Sequence, residues 1–442
     1  MSERDKSDGG LLSSPLRRVL RLGSLAGRVA ASVAANRLGS LARPAASRGK
    51  SRDRNLVVNA SRIAETLGEL KGAAMKAGQM LSLQDSLLPP EVAAALRTLQ
   101  KQSPPLPFEV VERQLRREIP RLDGVFADVE PYAFAAASIG QVHRGTLRDG
   151  RAVAIKVQYP GIEQVIEADL SNLRRVLKTV VSMVAKVEFE PIWRELRARL
   201  LEELDYLREA ESIRRMAELH ADVPDIVIPG VVEEATTRSV LTLEYLPGLS
   251  PDDVCSSGVA QASRDHWGRV LFQFVFRGLL VHRFLHADPN LSNFAFLADG
   301  RVVVYDFGCV KEIPARVARG YRQLIRASLG GRVEDMPAAM ATIGLHLKDG
   351  EPLPLEMVAP GAQPFIEMLR APGGYRFGDE SHVYELFFEL GSENLMNRSS
   401  VKIPRDIVFV NRTLVGHFGN LSRLKARADW RAVLAAFVER DS

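Results

Sequence analysis

Apolar positions in the first third of the chain recur every three to four residues, the spacing of helices that bury one face. The pattern runs through "LVVNASRIAETLGELKGAAMKAGQMLS" at 56–82 and restarts after Pro89-Pro90, at about 91–101. Beyond the proline-rich link "KQSPPLPF" it predicts a third helix over 108–118. The period then changes to two. "QVHRGTLRDGRAVAIKV" gives two β-rich runs joined by Asp149-Gly150, a pair that accepts positive φ in a tight turn. Helical patterns return at 160–188 and 190–219, and "VIPGVVEEATTRSVLTLEYLPG" reads as strands. Residues 262–285 predict one long apolar helix, and "NFAFLADGRVVVYDF" a second hairpin turning at Asp299-Gly300. The rest, 312–437, is mostly helical in pattern, and no internal repeat or long low-complexity tract interrupts it. The order predicts an α+β enzyme of two lobes behind a helical extension. Its segments are a 1–54 arm, a 55–125 extension, a 126–247 β-rich lobe with inserted helices, and a 248–442 helical lobe.

At 442 residues, 46% hydrophobic and 26% charged, the chain can bury two or three cores and has an ordinary globular composition. Its two cysteines, Cys255 and Cys309, cannot build a disulfide framework and suit a reducing compartment. No run of about 18 apolar residues occurs; the best candidate, 270–281, carries Arg277 and reads as a core helix. The expectation is a cytoplasmic protein, or one peripheral on the inner face of a membrane, without a transmembrane helix.

Charge changes the picture at one end. Residues 1–54 hold twelve Lys or Arg against four Asp or Glu, so a total of +5 leaves −3 for the remainder. Three readings of this arm stand open: a frayed solvated segment, a helix lying on an anionic membrane surface, or an organelle-targeting peptide. A secretory signal lacks its apolar core here, and nucleic acid is not expected, because the arm has no aromatics to stack on bases.

Candidate chemistry is distributed in order. "FAAASIGQVH" at 134–143 has the small residues that let backbone N–H groups approach phosphate oxygens, with alanines where glycines would be expected. Lys156 in "RAVAIKV" alternates to the face opposite Val153 and Ile155; it is either an exposed strand lysine or a partner for nucleotide phosphates. In "LLEELDYLREAE", Asp205 and Glu209 fall at i and i+4 of the predicted helix, and Glu203 points away from Glu209. Asp288 and Asn293 have the spacing of H-R-D-x-x-x-x-N, in which Asp accepts the substrate hydroxyl proton and Asn holds a metal ion. Asp306 opens D-F-G after a predicted strand, where a carboxylate can bind Mg²⁺ bridging the phosphates. His282 and His286 resemble the i, i+4 pair of a zinc-protease helix, but Arg283 stands where the general-base Glu belongs.

Two further stretches narrow the assignment. "KAGQ" at 76–79 and "ELD" at 203–205 match the K-x-G-Q and E-x-D signatures of the UbiB family of atypical protein-kinase-like proteins. With "AAASIGQVH", "VAIKVQYPGI" and "HADP", the resemblance covers residues 55–435. It implies a protein-kinase-like fold, ATP or ADP with Mg²⁺ as cofactors, and a role in ubiquinone or related prenyl-lipid metabolism with partners in that pathway. It further implies that Lys76 and Gln79 of the extension work with Glu203 and Asp205, and that Lys156 pairs with Glu209. The loop of Phe134, Ala135, Ala136, Ala137, Ser138, Ile139, Gly140, Gln141 and Val142 would cover the phosphates. Glu244 to Leu246 would form the adenine hinge, Asp288 would be the catalytic carboxylate, and Asn293 and Asp306 the metal ligands.

The sequence departs from the family where H-A-D-P-H-P-G-N becomes "HADPNLSN", with Asn290, Leu291 and Ser292 substituted. The paired membrane helices that end some bacterial members are not matched by "WRAVLAAFVERDS". Two rivals follow: a small-molecule kinase, or a pseudokinase that binds nucleotide or lipid without turnover.

Overall fold

Strand alternation over 152–158 is intact in the computed structural model, with Val153, Ile155 and Val157 buried and Ala154 and Lys156 on the more open face. The structure describes residues 105–137, 139–164, 166–167, 170, 174, 189–256, 258–378 and 401–438. The basic arm, the helices expected over 56–82 and 91–101, most of the 160–188 pattern, Lys76, Gln79 and Ser138 lie outside these residues. The described residues fall into two compact units. The first runs up to Tyr206 and takes in Glu234–Thr242; the second comprises Leu207–Glu233 and the chain from Leu243 onward.

In the first unit, α1 (Phe108–Glu118) fits the predicted span, burying Val111 and Leu115 while Arg116 pairs with Glu112 and Asp123 outside. A short α2 (Leu122–Val125) leads to β1 (Phe126–Ala136), β2 (Gly140–Leu147) and β3 (Ala152–Gln158). The β2–β3 hairpin turns where predicted, with Gly150 at φ +90°. The chain continues through α3 (Phe189–Glu202), passes through the second unit as α4 (Tyr206–Leu219, from Leu207 on) and β4 (Ile226–Val227), and returns with β5 (Val240–Glu244), which completes a sheet of order β1-β2-β3-β5. Thr237 and Ser239, just before β5, hydrogen-bond Glu118 and Gln114 of α1.

The helix expected over 190–219 is two helices. Leu204 and Tyr206 are both buried, and the Tyr206 N–H donates to Arg238 O at 3.0 Å instead of to the preceding helical turn. A backbone N–H makes its bond in one place, and here a tertiary acceptor takes it, so the helix stops at Glu202. The expected strands of 227–248 shrink to β4, a 3₁₀ turn at Glu233–Ala235 and β5.

In the second unit, α5 (Pro251–Cys255) opens on a Ser250/Asp253 capping box. Next comes α6 (Gln261–Phe276), buried along Trp267, Val270, Leu271, Phe272, Phe274, Val275 and Phe276. Its continuation departs from the expected 262–285 helix. A π turn spans Arg277–Val281, Arg283 takes φ +52°, and Phe284–His286 becomes strand β6. Apolarity predicted burial correctly, but pairing decided the conformation, with Phe284 set against Glu312 and His286 against Val310. The second hairpin forms from β7 (Phe294–Phe296) and β8 (Val302–Val304), with Gly300 at φ +98° and β4 parallel to β8. After β9 (Val310–Glu312) the chain is mostly helical, as expected: α7 (Ala315–Gly330), α8 (Met336–Ile343), α9 (Leu355–Arg370), α10 (Arg405–Leu424) and α11 (Trp430–Val438). Phe272, Phe377, Phe418 and Trp430 interlock at 4.8–6.3 Å between ring centroids and tie α6, α10 and α11 into one core. Among the described residues, no helix is long and apolar enough to cross a membrane.

Candidate active site

The small-residue loop of the first unit is the β1–β2 hairpin, pairing Ala135 with Val142 and Ala136 with Gln141, and closed by Ala137 N–H to Gly140 O at 3.0 Å. Ala135 and Ala136 are exposed, Ala137 and Val142 half-buried, and Ile139 buried as the anchor. Phe134 is exposed under the Arg144 guanidinium, 5.1 Å from its ring centroid. A Cβ on Gly140 would stand 2.1 Å from Val157 O, so glycine is required there by the approach of β3 whatever the loop covers. Gln141 is buried, and its carboxamide accepts from Leu106 N–H (2.7 Å), donates to Leu106 O (3.3 Å) and meets His143 Nε2 (2.9 Å). That side chain clamps the segment before α1 to the sheet. Lys156 lies on the open face of β3, its Nζ 5.0 Å over the ring of the buried Tyr206, a contact that steadies the ammonium without neutralising it. Glu203 and Asp205 are half-buried in the break between α3 and α4, so the i, i+4 helical relation expected for Asp205 and Glu209 does not hold.

In the second unit Glu209 lies in the first turn of α4, buried. Its Oε2 comes within 3.9 Å of the point where a Gly308 Cβ would stand, and Asp306 Oδ1 within 3.2 Å of that same point. The two carboxylates thus flank Gly308. Asp306 Oδ1 also accepts from the Gly308 N–H at 3.0 Å.

The loop at 286–293 is held from both ends. His286 Nε2 meets Asp306 O at 2.5 Å, and the Ala287 N–H donates to Cys309 O at 2.9 Å. Burial pushes the His286 imidazole down, so it is neutral. Asp288 Oδ1 accepts from Asn290 N–H, and Asn290 Oδ1 accepts from Ser292 N–H, each at 3.2 Å. Asn290 thereby caps the 3₁₀ turn Leu291–Asn293, and Leu291 is buried. Asn293 Nδ2 donates back to Asp288 O at 3.5 Å. The Asn-Leu-Ser departure therefore supplies its own cap and its own apolar anchor.

Three supports went unseen in the sequence. Tyr305 donates its N–H to Asn293 O at 2.9 Å and its hydroxyl to Leu246 O, and burial pushes its phenol up to about 12. Leu246 follows Glu244, whose side chain is exposed and whose N–H donates to Gly230 O at 2.8 Å. From α10, Asn420 Nδ2 donates to Pro289 O at 2.7 Å, and Gly416 lies so close that a Cβ would stand 2.3 Å from Pro289 Cγ. His417, one residue on, is buried beside Phe294 without a hydrogen-bond partner among the described residues, and burial drives its pKa down to about 3. Local sequence carries no signal for these contacts, which span about 120 positions or more for α10. His282 ends the π turn and His286 lies on β6, so the zinc-protease helix does not exist.

Asp288, Asn293 and Asp306 offer hard oxygen donors. Among the described residues no group of three or more His, Cys, Asp or Glu side chains forms a metal cage. This donor set fits Mg²⁺, which takes one or two carboxylates and completes its shell with phosphate and water.

A family model described as an ABC1 atypical kinase-like domain matches residues 98–336. The chain is 33% identical over 379 residues to the mitochondrial atypical kinase COQ8B of Rattus norvegicus, covering 83% of this chain and 70% of that one. It is 34% identical to the mitochondrial atypical kinase coq-8 of Caenorhabditis elegans, but spans only 37% of that relative's length. Among solved structures, the complex of Rv3197 with erythromycin from Mycobacterium tuberculosis matches with a TM-score of 0.65 and 26% identity, over 89% of this chain and 98% of that one. With the kinase-like fold, the family match and the relatives in agreement, this chain belongs to the ABC1 family of atypical kinase-like proteins, the group that includes the COQ8 and UbiB atypical kinases.

Proposed function

We propose that this protein is an ATP-dependent atypical kinase or ATPase that uses Mg²⁺ and supports ubiquinone or related isoprenoid-lipid metabolism. The observation that carries the reading is the bonded unit Asp288–Asn290–Asn293–Tyr305–Asp306, which fixes three oxygen donors at the ends of two short paired strands. Asn293 and Asp306 would hold Mg²⁺, which supplies charge neutralisation on the phosphates. Asp288 is the carboxylate that accepts a proton from the attacking oxygen. Lys156 would bind phosphate oxygens and the hairpin 134–142 would offer backbone N–H groups to them; Glu209 is the acidic residue that the family resemblance assigns to that lysine. The Leu246 segment, steadied by Tyr305, serves the adenine. Lys76 and Gln79 act with Glu203 and Asp205 in controlling access to the reaction. The metabolic assignment is supported by the COQ8 relatives. The basic arm would bring the enzyme to an anionic membrane surface or prenyl lipid.

The test is the melting temperature with ATP or ADP, with and without Mg²⁺, on wild type and Asp306→Asn. A nucleotide at a hundred times its dissociation constant adds about 2.7 kcal/mol. The expected result is a Mg²⁺-dependent rise in wild type that Asp306→Asn loses, accompanied by phosphate release in the wild type alone. No shift with either nucleotide would overturn the reading; a shift without any turnover would leave a nucleotide-binding pseudokinase.

A further inference from the structure

A cavity of about 370 Å³ opens in the second unit, lined by Val223, Gln273, Arg277, Ala432, Val433, Ala436 and Phe437. None of these belongs to the residues placed at the nucleotide. Its size falls in the range of small-ligand sites, roughly 300–1,000 Å³, which are mostly apolar with a few placed polar groups. The walls fit that description. Val223, Phe437 and three small residues of α11 make an apolar trough, and Gln273 and Arg277, one turn apart on and just beyond α6, supply the polar end.

Arg277 is the telling residue. Its side chain is only 13% exposed, and its Nη2 holds both oxygens of Asp222 at 2.8 and 2.9 Å. Its Nε is sealed inside the protein, away from the cavity, with no hydrogen-bond partner among the described residues, and the Gln273 carboxamide makes no hydrogen bond with another described residue. Arg277 also opens the π turn, a widening of the helix that is found mostly at functional sites. On the protein side it faces His220 and His282, whose rings are 4.9 Å apart. Burial draws His220 down to about 4 and lowers His282 as well, so both are neutral near pH 7 and the charge at this end belongs to Arg277 and its exposed partner Asp222.

We propose that this cavity binds a small amphipathic carboxylate, with its apolar body along α11 and its carboxylate at the polar end made by Arg277 and Gln273. A guanidinium has five N–H donors in a planar fork and can serve two carboxylates, one on each edge. The solvent-exposed Asp222 competes for the same cation, so removing its charge strengthens the ligand, whereas removing the guanidinium weakens it.

The test uses isothermal titration of the full chain with octanoate and with octanol. Octanoate binds wild type about tenfold more tightly than octanol, the size of one charge-assisted hydrogen bond. Asp222→Asn tightens octanoate binding, Arg277→Gln weakens it about tenfold, and Ala436→Trp, which fills the trough from an exposed position, abolishes it. Circular dichroism confirms that each variant is folded. If Arg277→Gln fails to fold, the opposite responses of Asp222→Asn and Ala436→Trp still decide. Equal binding of octanol and octanoate, octanoate binding unchanged in Ala436→Trp, or no octanoate binding at all would each overturn the proposal.

Discussion

Gly416→Ala sets two effects of known size against each other. On an ordinary helix the substitution stabilises, by about 1 kcal/mol, because alanine is the better helix former. In α10 the new methyl would stand 2.3 Å from Pro289 Cγ and 2.6 Å from its Cβ. Carbon atoms at rest keep roughly 3.5–4.0 Å, so something must move by about an ångström. The ring of Pro289 cannot swing aside, and its carbonyl is tied by Asn420 on the same helix. The displacement therefore falls on the loop, where Asp288 is the preceding residue. Overpacking of this kind costs about 1–3 kcal/mol, which exceeds or cancels the helical gain. Function suffers more, because an ångström at a reacting group costs about a hundredfold in rate. Urea denaturation should show a net loss of about 0–2 kcal/mol, and Mg²⁺-dependent phosphate release should fall by about two orders of magnitude. A variant that is more stable than wild type and equally active would refute the claim that α10 braces the loop.

Asn290→Ala removes the side-chain cap of the 3₁₀ turn, and about 1 kcal/mol of stability should go with it, measured by urea denaturation; Asn290→Asp, which keeps an acceptor, should lose less. Buried histidines set the acid side. His417 and His220 have folded pKa values of about 3 and 4 against about 6.5 unfolded, and burial lowers His143 and His286 too. The unfolded chain then binds more protons, so stability is full above pH 6.5 and falls as pH drops, by about 1.4 kcal/mol per pH unit for each histidine. Between pH 7 and pH 5 His417 and His220 together should remove about 4 kcal/mol, and His417→Leu should flatten the profile by about half of that. A profile as steep in His417→Leu as in wild type would remove His417 from this account.

Local chemistry was enough for the two hairpins. Asp149-Gly150 and Asp299-Gly300 announce turns whose glycines do take positive φ, and alternation assigned Lys156 to the open face of β3. The 108–118 helix and the helical remainder were legible for the same reason, since each is a short-range pattern of burial. Motif order, from the small-residue loop through Asp288 and Asn293 to Asp306, led to the family that the comparisons then supported.

Tertiary structure decided what short-range pattern cannot encode. Tyr206 gives its N–H to Arg238, thirty-two positions on, which breaks the helix at Glu203–Asp205. Phe284–His286 is as apolar as the helix before it, and only the partner strand at Val310–Glu312 makes it a strand. The bracing of Pro289 by Gly416 and Asn420, and the meeting of Glu209 with Asp306 around Gly308, likewise join residues about a hundred positions apart. Burial is written residue by residue in the sequence, because each side chain carries its own preference for water. The partner that satisfies a buried backbone group or carboxylate is not, because that choice belongs to whichever distant segment the fold brings within about 3 Å.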